Sequence, residues 1–249
     1  MLTANGRVTL VLAAALLALL AAAAWRGGTY VPSSAAEWDA TAPVRHVQRG
    51  RARVALTFDS GWGEDYTQEV LEILKAQGAQ ATFFLTGYWM DENPEAVSAI
   101  VEAGHELGGH SVTHSRMVGM DAAAIDAEID GVSERIAAYT GRAPRCFRPP
   151  YGDWDLALLG RVRMKGQVAV TWSVDAQSAV NAAGLRAALD TARAGDIVLM
   201  SLCDAALVTE LEGALAALRE RGLAPCTVSA LMGEGNERFV KAREPKLRA

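Results

Sequence analysis

From Arg53 onward the chain alternates short apolar, β-rich stretches with helical patterns, and that alternation restricts it to a parallel sheet flanked by helices. The expected strands are residues 54–58, 82–85, 106–108, 145–148, 168–172, 196–200 and 224–227, seven in all. Between them the expected helices are 66–77, closed by Gly78; 95–103, opened by Asn93 and Pro94 and stopped by Gly104; 122–139, capped by Asp121; and 155–164, 185–193 and 209–221. Strands this continuously apolar are covered on both faces, which leaves a barrel or a doubly wound open sheet. The polar residues separate these two. Asp59 follows the first strand, His110 and His114 the third, Arg148 ends the fourth and Asp175 follows the fifth. A barrel gathers such residues at one mouth, where an open sheet spreads them along an edge, so the pattern favours the barrel.

With 249 residues, 51% of them hydrophobic, the chain has material for one α/β domain with a real core plus a small amino-terminal segment, and not for a second full domain. The net charge of −5 comes from scattered charges with no basic stripe, which excludes nucleic acid as a partner. Cys146, Cys203 and Cys226 are too few and too far apart for a disulfide framework or a zinc knuckle and are expected as buried thiols. At the amino terminus, Arg7 precedes an uninterrupted run over residues 8–25 made almost wholly of Ala, Leu and Val. Such a run reads as an export signal, either cleaved near Ala21, Ala22, Ala23 and Ala24 or retained as a membrane anchor. A buried core helix is the alternative. The expected layout is a signal peptide or anchor over 1–26, a Pro/Ser/Gly-containing spacer over 27–51, the folded domain over 52–233 and a polar tail over 234–249.

Three short segments carry chemistry. His110 and His114 stand four residues apart, so on one helical turn both imidazoles face one side and can share a metal ion; two unrelated surface histidines would have the same spacing. Asp59 ends a buried strand just before Gly61, where a partly desolvated carboxylate can act as a general base toward water, or can simply cap a turn. Arg148 opens the run Arg148-Pro149-Pro150-Tyr151-Gly152, a rigid loop able to hold a guanidinium against a carboxylate, although a plain surface loop reads alike.

In combination these segments are more specific. LTFDSG at 56–61, GAQATFFLTG at 78–87, GHELGGHSVTH at 104–114 and FRPPYG at 147–152 occur in the order and spacing of the polysaccharide deacetylase family, also called the NodB homology domain or family 4 carbohydrate esterases. The chain resembles that family from about residue 53 to 232, including Trp172-Ser173-Val174-Asp175 and the segment 195–200. The resemblance implies a distorted seven-stranded (β/α) barrel that removes N- or O-acetyl groups from glycans with a divalent metal, often zinc. It assigns Asp59 as general base, His110 and His114 as metal ligands, Arg148 as the residue orienting the base, and Asp175 as the carboxylate tuning the catalytic acid. Tyr151 matches a position whose backbone N–H helps hold the oxyanion, and Trp62 is a candidate aromatic face for the sugar, alongside Trp154 and Trp172. The implied partner is a cell-wall glycan met outside the cytoplasmic membrane, by a monomer that is secreted or held to the membrane by its amino-terminal segment.

Three positions depart from the family pattern. Ser60 replaces an aspartate that serves many relatives as third metal ligand, so metal affinity should fall and water should complete the shell. Ser201 replaces the histidine that protonates the leaving amine, and a hydroxyl has no pKa near neutrality. The other histidines, His46 in the spacer and His105 before the third strand, are not obvious substitutes, leaving Asp204 or a bound water. Ser178 and Ala179 replace an Asp-Trp pair that lines the glycan groove. These changes keep three readings open: a glycan deacetylase, a glycan-binding pseudoenzyme, and a barrel hydrolase for another amide or ester.

Overall fold

The structure, a computed structural model, describes residues 41–48, 52–62, 65–177, 182–233 and 238–241. Its centre is a parallel sheet. The strands, in chain order, are β1 (Val44–Gln48), β2 (Arg53–Asp59), β3 (Thr82–Leu85), β4 (Glu106–Gly109), β5 (Cys146–Phe147), β6 (Val168–Ala169), β7 (Val174–Asp175), β8 (Ile197–Ser201), β9 (Ala224–Cys226) and β10 (Arg238–Lys241). The main sheet runs β6-β5-β4-β3-β2-β8-β7. Ala55 of β2 pairs with both Ile197 of β8 and Cys226 of β9, so β9 occupies the β3 side of β2 at its N-terminal end. All seven expected strands are present. Three of them, β5, β6 and β9, are shorter than expected, and β7 joins as an addition, two residues being too few to register as a β pattern.

Four helices lie within one residue of their expected ends, Thr67–Ala76, Pro94–Glu102, Ala122–Thr140 and Leu156–Met164, whereas Ala182–Asp190 and Ala206–Glu220 each begin three residues earlier than expected. Asp121 caps the third of these by accepting from Ala124 N, and Gly141, left-handed at φ 73°, closes it. Two short helices, Gly87–Glu92 and Val228–Met232, were not legible, since each spans less than two turns of periodicity.

Side chains alternate along β2. Val54, Leu56 and Phe58 belong to the core shared with the helices, whereas Ala55 packs in a second cluster with Phe84, Cys146, Ile197 and Cys226. By the same period of two, Asp59 shares the face of Ala55 and is delivered to the inside of the barrel. Cys146 and Cys226 are buried free thiols as expected, while Cys203 is half-buried.

The expected spacer, 27–51, is corrected over part of its length. Its residues Val44–Gln48 form β1, which pairs antiparallel with β10, a strand from the expected polar tail. No ladder joins β6 to β7 among the described residues, and β1 lies across that opening. Thr171 N donates to the Val44 carbonyl and Val47 N to the Gly195 carbonyl, both at 2.8 Å. Val44 and Val47 are buried, the latter completely, at about 1.5–3 kcal/mol of transfer free energy each. A strand with two apolar residues gives composition almost nothing to detect. Residues 1–26, read as a signal or anchor, and Ser178 and Ala179 lie outside the described residues. Among the described residues no helix is long and apolar enough to cross a membrane.

Candidate active site at the mouth of the barrel

Parallel register assembles the mouth. Asp59 lies opposite Ser201 on one side and Phe84 on the other, Leu85 opposite Gly109, and Gly109 opposite Phe147. The residues that follow, Ser60, Thr86, His110 and Arg148, therefore emerge together at the C-terminal ends of the strands. Gly108 is required here: a Cβ at this position would come within 2.5 Å of the Phe84 ring, which spreads over it. The same ring carries charge on it, with the Arg148 guanidinium carbon 4.0 Å from the Phe84 centroid.

Arg148 is fully buried and Asp59 nearly so. Arg148 Nη1 donates to Asp59 Oδ1 at 2.5 Å, Nη2 makes a longer contact of 3.4 Å with the Thr171 carbonyl, and Nε has no partner. Burial pushes the Arg148 guanidinium below its ordinary range and the Asp59 carboxylate opposes the shift. With Oδ1 taken, Oδ2 faces His110 Nε2 at 3.6 Å. His110 Nδ1 is 2.8 Å from the Arg148 carbonyl, which can only accept, so Nδ1 carries the proton and Nε2 of the neutral ring presents a lone pair. Two acceptors thus face each other beyond hydrogen-bond range. Desolvation lowers the His110 pKa, outweighing the attraction of Asp59.

His114 lies beside His110, ring centroids 4.8 Å apart. Burial and then the neighbouring His110 bring its pKa down to about 4, against the opposing pull of Asp59, and its Nδ1 is buried without a partner. Neutral imidazoles, one with its lone pair aimed inward and one with an orphaned nitrogen, fit a divalent cation as two nitrogen ligands. Among the described residues no group of three or more His, Cys, Asp and Glu is placed to hold a metal. The Ser60 hydroxyl is already an acceptor for Thr86 N at 3.0 Å.

An aromatic rim surrounds the imidazoles. Trp62 and Tyr151 flank His114 at centroid distances of 5.0 and 4.6 Å, and both are more than half exposed. Arg116 stacks over Tyr151 at 4.3 Å and pairs with Asp153. Trp172 is half-buried, packed against Gly152 and 5.7 Å from the Arg148 guanidinium. Ser111, His114 and Tyr151 have left-handed backbone, with φ of 66°, 57° and 62°. Such non-glycine residues cost about 1–3 kcal/mol each and concentrate at functional sites.

Six of the seven site residues expected from sequence, Asp59, Arg148, His110, His114, Tyr151 and Trp62, therefore form one contact series. Asp175 is exposed at the end of β7 and in register with Leu199. Ser201 sits at the end of β8, its hydroxyl accepting from Cys203 N at 3.3 Å. Asp204 Oδ1 accepts from Ala206 N at the start of a helix. His46 is hydrogen-bonded to Asp196 at the opposite end of β8, about 16 Å along the strand from Ser201, and His105 accepts from Ala81 N ahead of β4. Neither reaches the mouth. Phe84 and Arg116 touch site residues, and Glu128 binds Val112 and Thr113 between the two histidines, without any local signal in the sequence, because a mid-helix Glu, a strand Phe and a loop Arg are ordinary at such positions.

Fold and mouth together define an α/β barrel with a buried carboxylate, its guanidinium partner and two imidazoles at the strand ends. The chain belongs to the polysaccharide deacetylase family, whose profile matches residues 46–170. It is 30% identical over 208 residues to the peptidoglycan-N-acetylglucosamine deacetylase PgdA of Listeria monocytogenes, covering 82% of this chain and 43% of that protein. Among solved structures it is similar to a family 4 carbohydrate esterase pseudoenzyme from Bacillus anthracis, with 28% identity and a TM-score of 0.73 over 78% of this chain and 70% of that one. A mutant of that pseudoenzyme with restored enzymatic activity matches equally well in TM-score. A family 4 carbohydrate esterase from Streptomyces lividans, in complex with acetate, matches with 30% identity and a TM-score of 0.68 over 78% of this chain and 98% of that one. The chain spans 43% to 61% of the length of the curated relatives it matches first.

Proposed function

We propose that this protein removes acetyl groups from an N-acetylated cell-wall glycan, peptidoglycan or a chitin-like polymer, outside the cytoplasmic membrane. The observation that carries the reading is the Asp59 carboxylate, held by Arg148 through one oxygen and free at the other to face His110. A divalent cation such as zinc, held by His110 and His114, would polarise the acetamide carbonyl. Asp59 Oδ2 takes a proton from the attacking water, Arg148 keeps the carboxylate from rotating, and the Tyr151 backbone N–H meets the developing oxyanion. Collapse of the tetrahedral adduct breaks the C–N bond and releases acetate and an amine, which takes up the proton that Asp59 accepted from water. Trp62 and Tyr151 offer exposed ring faces for the sugar. Asp175 would tune a catalytic acid at position 201, where this chain has serine.

That serine supports a second reading, a pseudoenzyme that binds glycan without turnover. The two are separated by acetate release from peptidoglycan and N-acetylglucosamine oligomers with and without added zinc. Zinc-dependent release, lost by about 10²–10⁴-fold in Asp59→Asn, is the outcome expected of a deacetylase. Glycan binding without release, with turnover appearing in Ser201→His, establishes the pseudoenzyme instead.

A further inference from the structure

We infer that Glu128 is the positioning residue of the imidazole pair, acting on His114 through the loop that carries it. Glu128 projects from the middle of helix Ala122–Thr140, and its carboxylate closes on the residues between the two histidines. Oε2 accepts from Val112 N at 2.7 Å and from Thr113 N at 2.9 Å, while Oε1 accepts from Thr113 Oγ1 at 2.7 Å. The helix approaches closely enough for this only because residue 131 is glycine; a Cβ there would lie 2.7 Å from Val112 Cγ2.

The two histidines depend on this anchor unequally. His110 directly follows β4 and is tied to the Arg148 carbonyl, so its ring is placed by the barrel. His114 has no such tie: its side-chain Nδ1 lacks a partner, its backbone is left-handed, and its own amide is held by the Ser111 hydroxyl at 2.8 Å. A loop with left-handed turns at Ser111 and His114 holds its shape while the two amides between them are bound, and Glu128 binds both. Removing that carboxylate releases His114 and leaves the Asp59, Arg148 and His110 contacts as they are. Reach matters as well as hydrogen bonding, since an aspartate is one methylene short, whereas a glutamine oxygen still accepts from both amides.

The inference rests on the proposal that His110 and His114 act together on a cation, and its test keeps the two apart. Zinc affinity is measured on the full chain and on Glu128→Ala, Glu128→Asp, Glu128→Gln and Thr113→Val, with the imidazole nitrogen signals followed by NMR in zinc-free protein at one pH. Glu128→Ala and Glu128→Asp should bind zinc about 10–100-fold more weakly, with Glu128→Gln and Thr113→Val within about threefold of the parent. The His114 signals should move in the first two variants while those of His110 stay. Unchanged affinity in Glu128→Ala overturns the inference, as does an equal displacement of both histidines. If the parent binds no zinc, the cation proposal fails by itself and the NMR comparison decides: His114 moving alone supports a positioning role, and unmoved signals exclude it.

Discussion

Arg148 and Asp59 form the kind of contact in which desolvation and attraction nearly cancel. A guanidinium with no exposed surface is expensive to bury, and its partner offsets that expense only while both are present. Arg148→Met should therefore lower stability by about 3–5 kcal/mol, with the carboxylate left buried and alone. The double variant Arg148→Met/Asp59→Leu should recover most of the loss, as read from urea unfolding midpoints. Equal losses in single and double variants would mean that packing of Arg148 between Phe84 and Trp172 matters more than its charge. The same pair explains why Asp59 and Arg148 are legible in the sequence. Each ends an apolar run, and a charged residue at the end of a buried strand has to find a partner.

At the scale of elements, β4 is framed by two histidines with different duties. His110 leaves its C-terminal end into the mouth, and His105 stands ahead of its N-terminal end, accepting from Ala81 N at 3.3 Å. Desolvation lowers the His105 pKa in the folded chain. The unfolded chain therefore binds more protons as the pH falls toward and below about 6.5, so this contribution to stability is present above that pH and lost beneath it. His105→Gln should flatten the dependence of the urea midpoint between about pH 5 and 7 relative to the parent. An unaltered slope would assign the pH response to other groups. Helix Ala122–Thr140 illustrates the limit of reading one element at a time. Asp121 and Gly141 mark its ends in the sequence, yet nothing in the helix distinguishes Glu128 from its other carboxylates.

For the whole molecule, the sheet is a barrel left open between β6 and β7 and crossed there by β1. Val44 and Val47 are buried in that position, so a chain beginning at residue 52 should be less stable than one beginning at residue 41 by about 3–6 kcal/mol. Equal unfolding midpoints would restore the reading of 44–48 as a spacer. By itself the sequence determined the β–α alternation, the ends of four helices and the strand-end residues Asp59, His110, His114 and Arg148. These depend on periodicity, capping and a polar residue after an apolar run, all of which act over a few neighbours. Tertiary structure alone decided that β1 and β10 pair across nearly the whole chain, that β7 joins the sheet, and that His46 and His105 lie away from Ser201. It likewise decided that Glu128 reaches the histidine loop. Those outcomes follow from which surfaces remain to be covered once the barrel has curled, and no short window of residues carries that information.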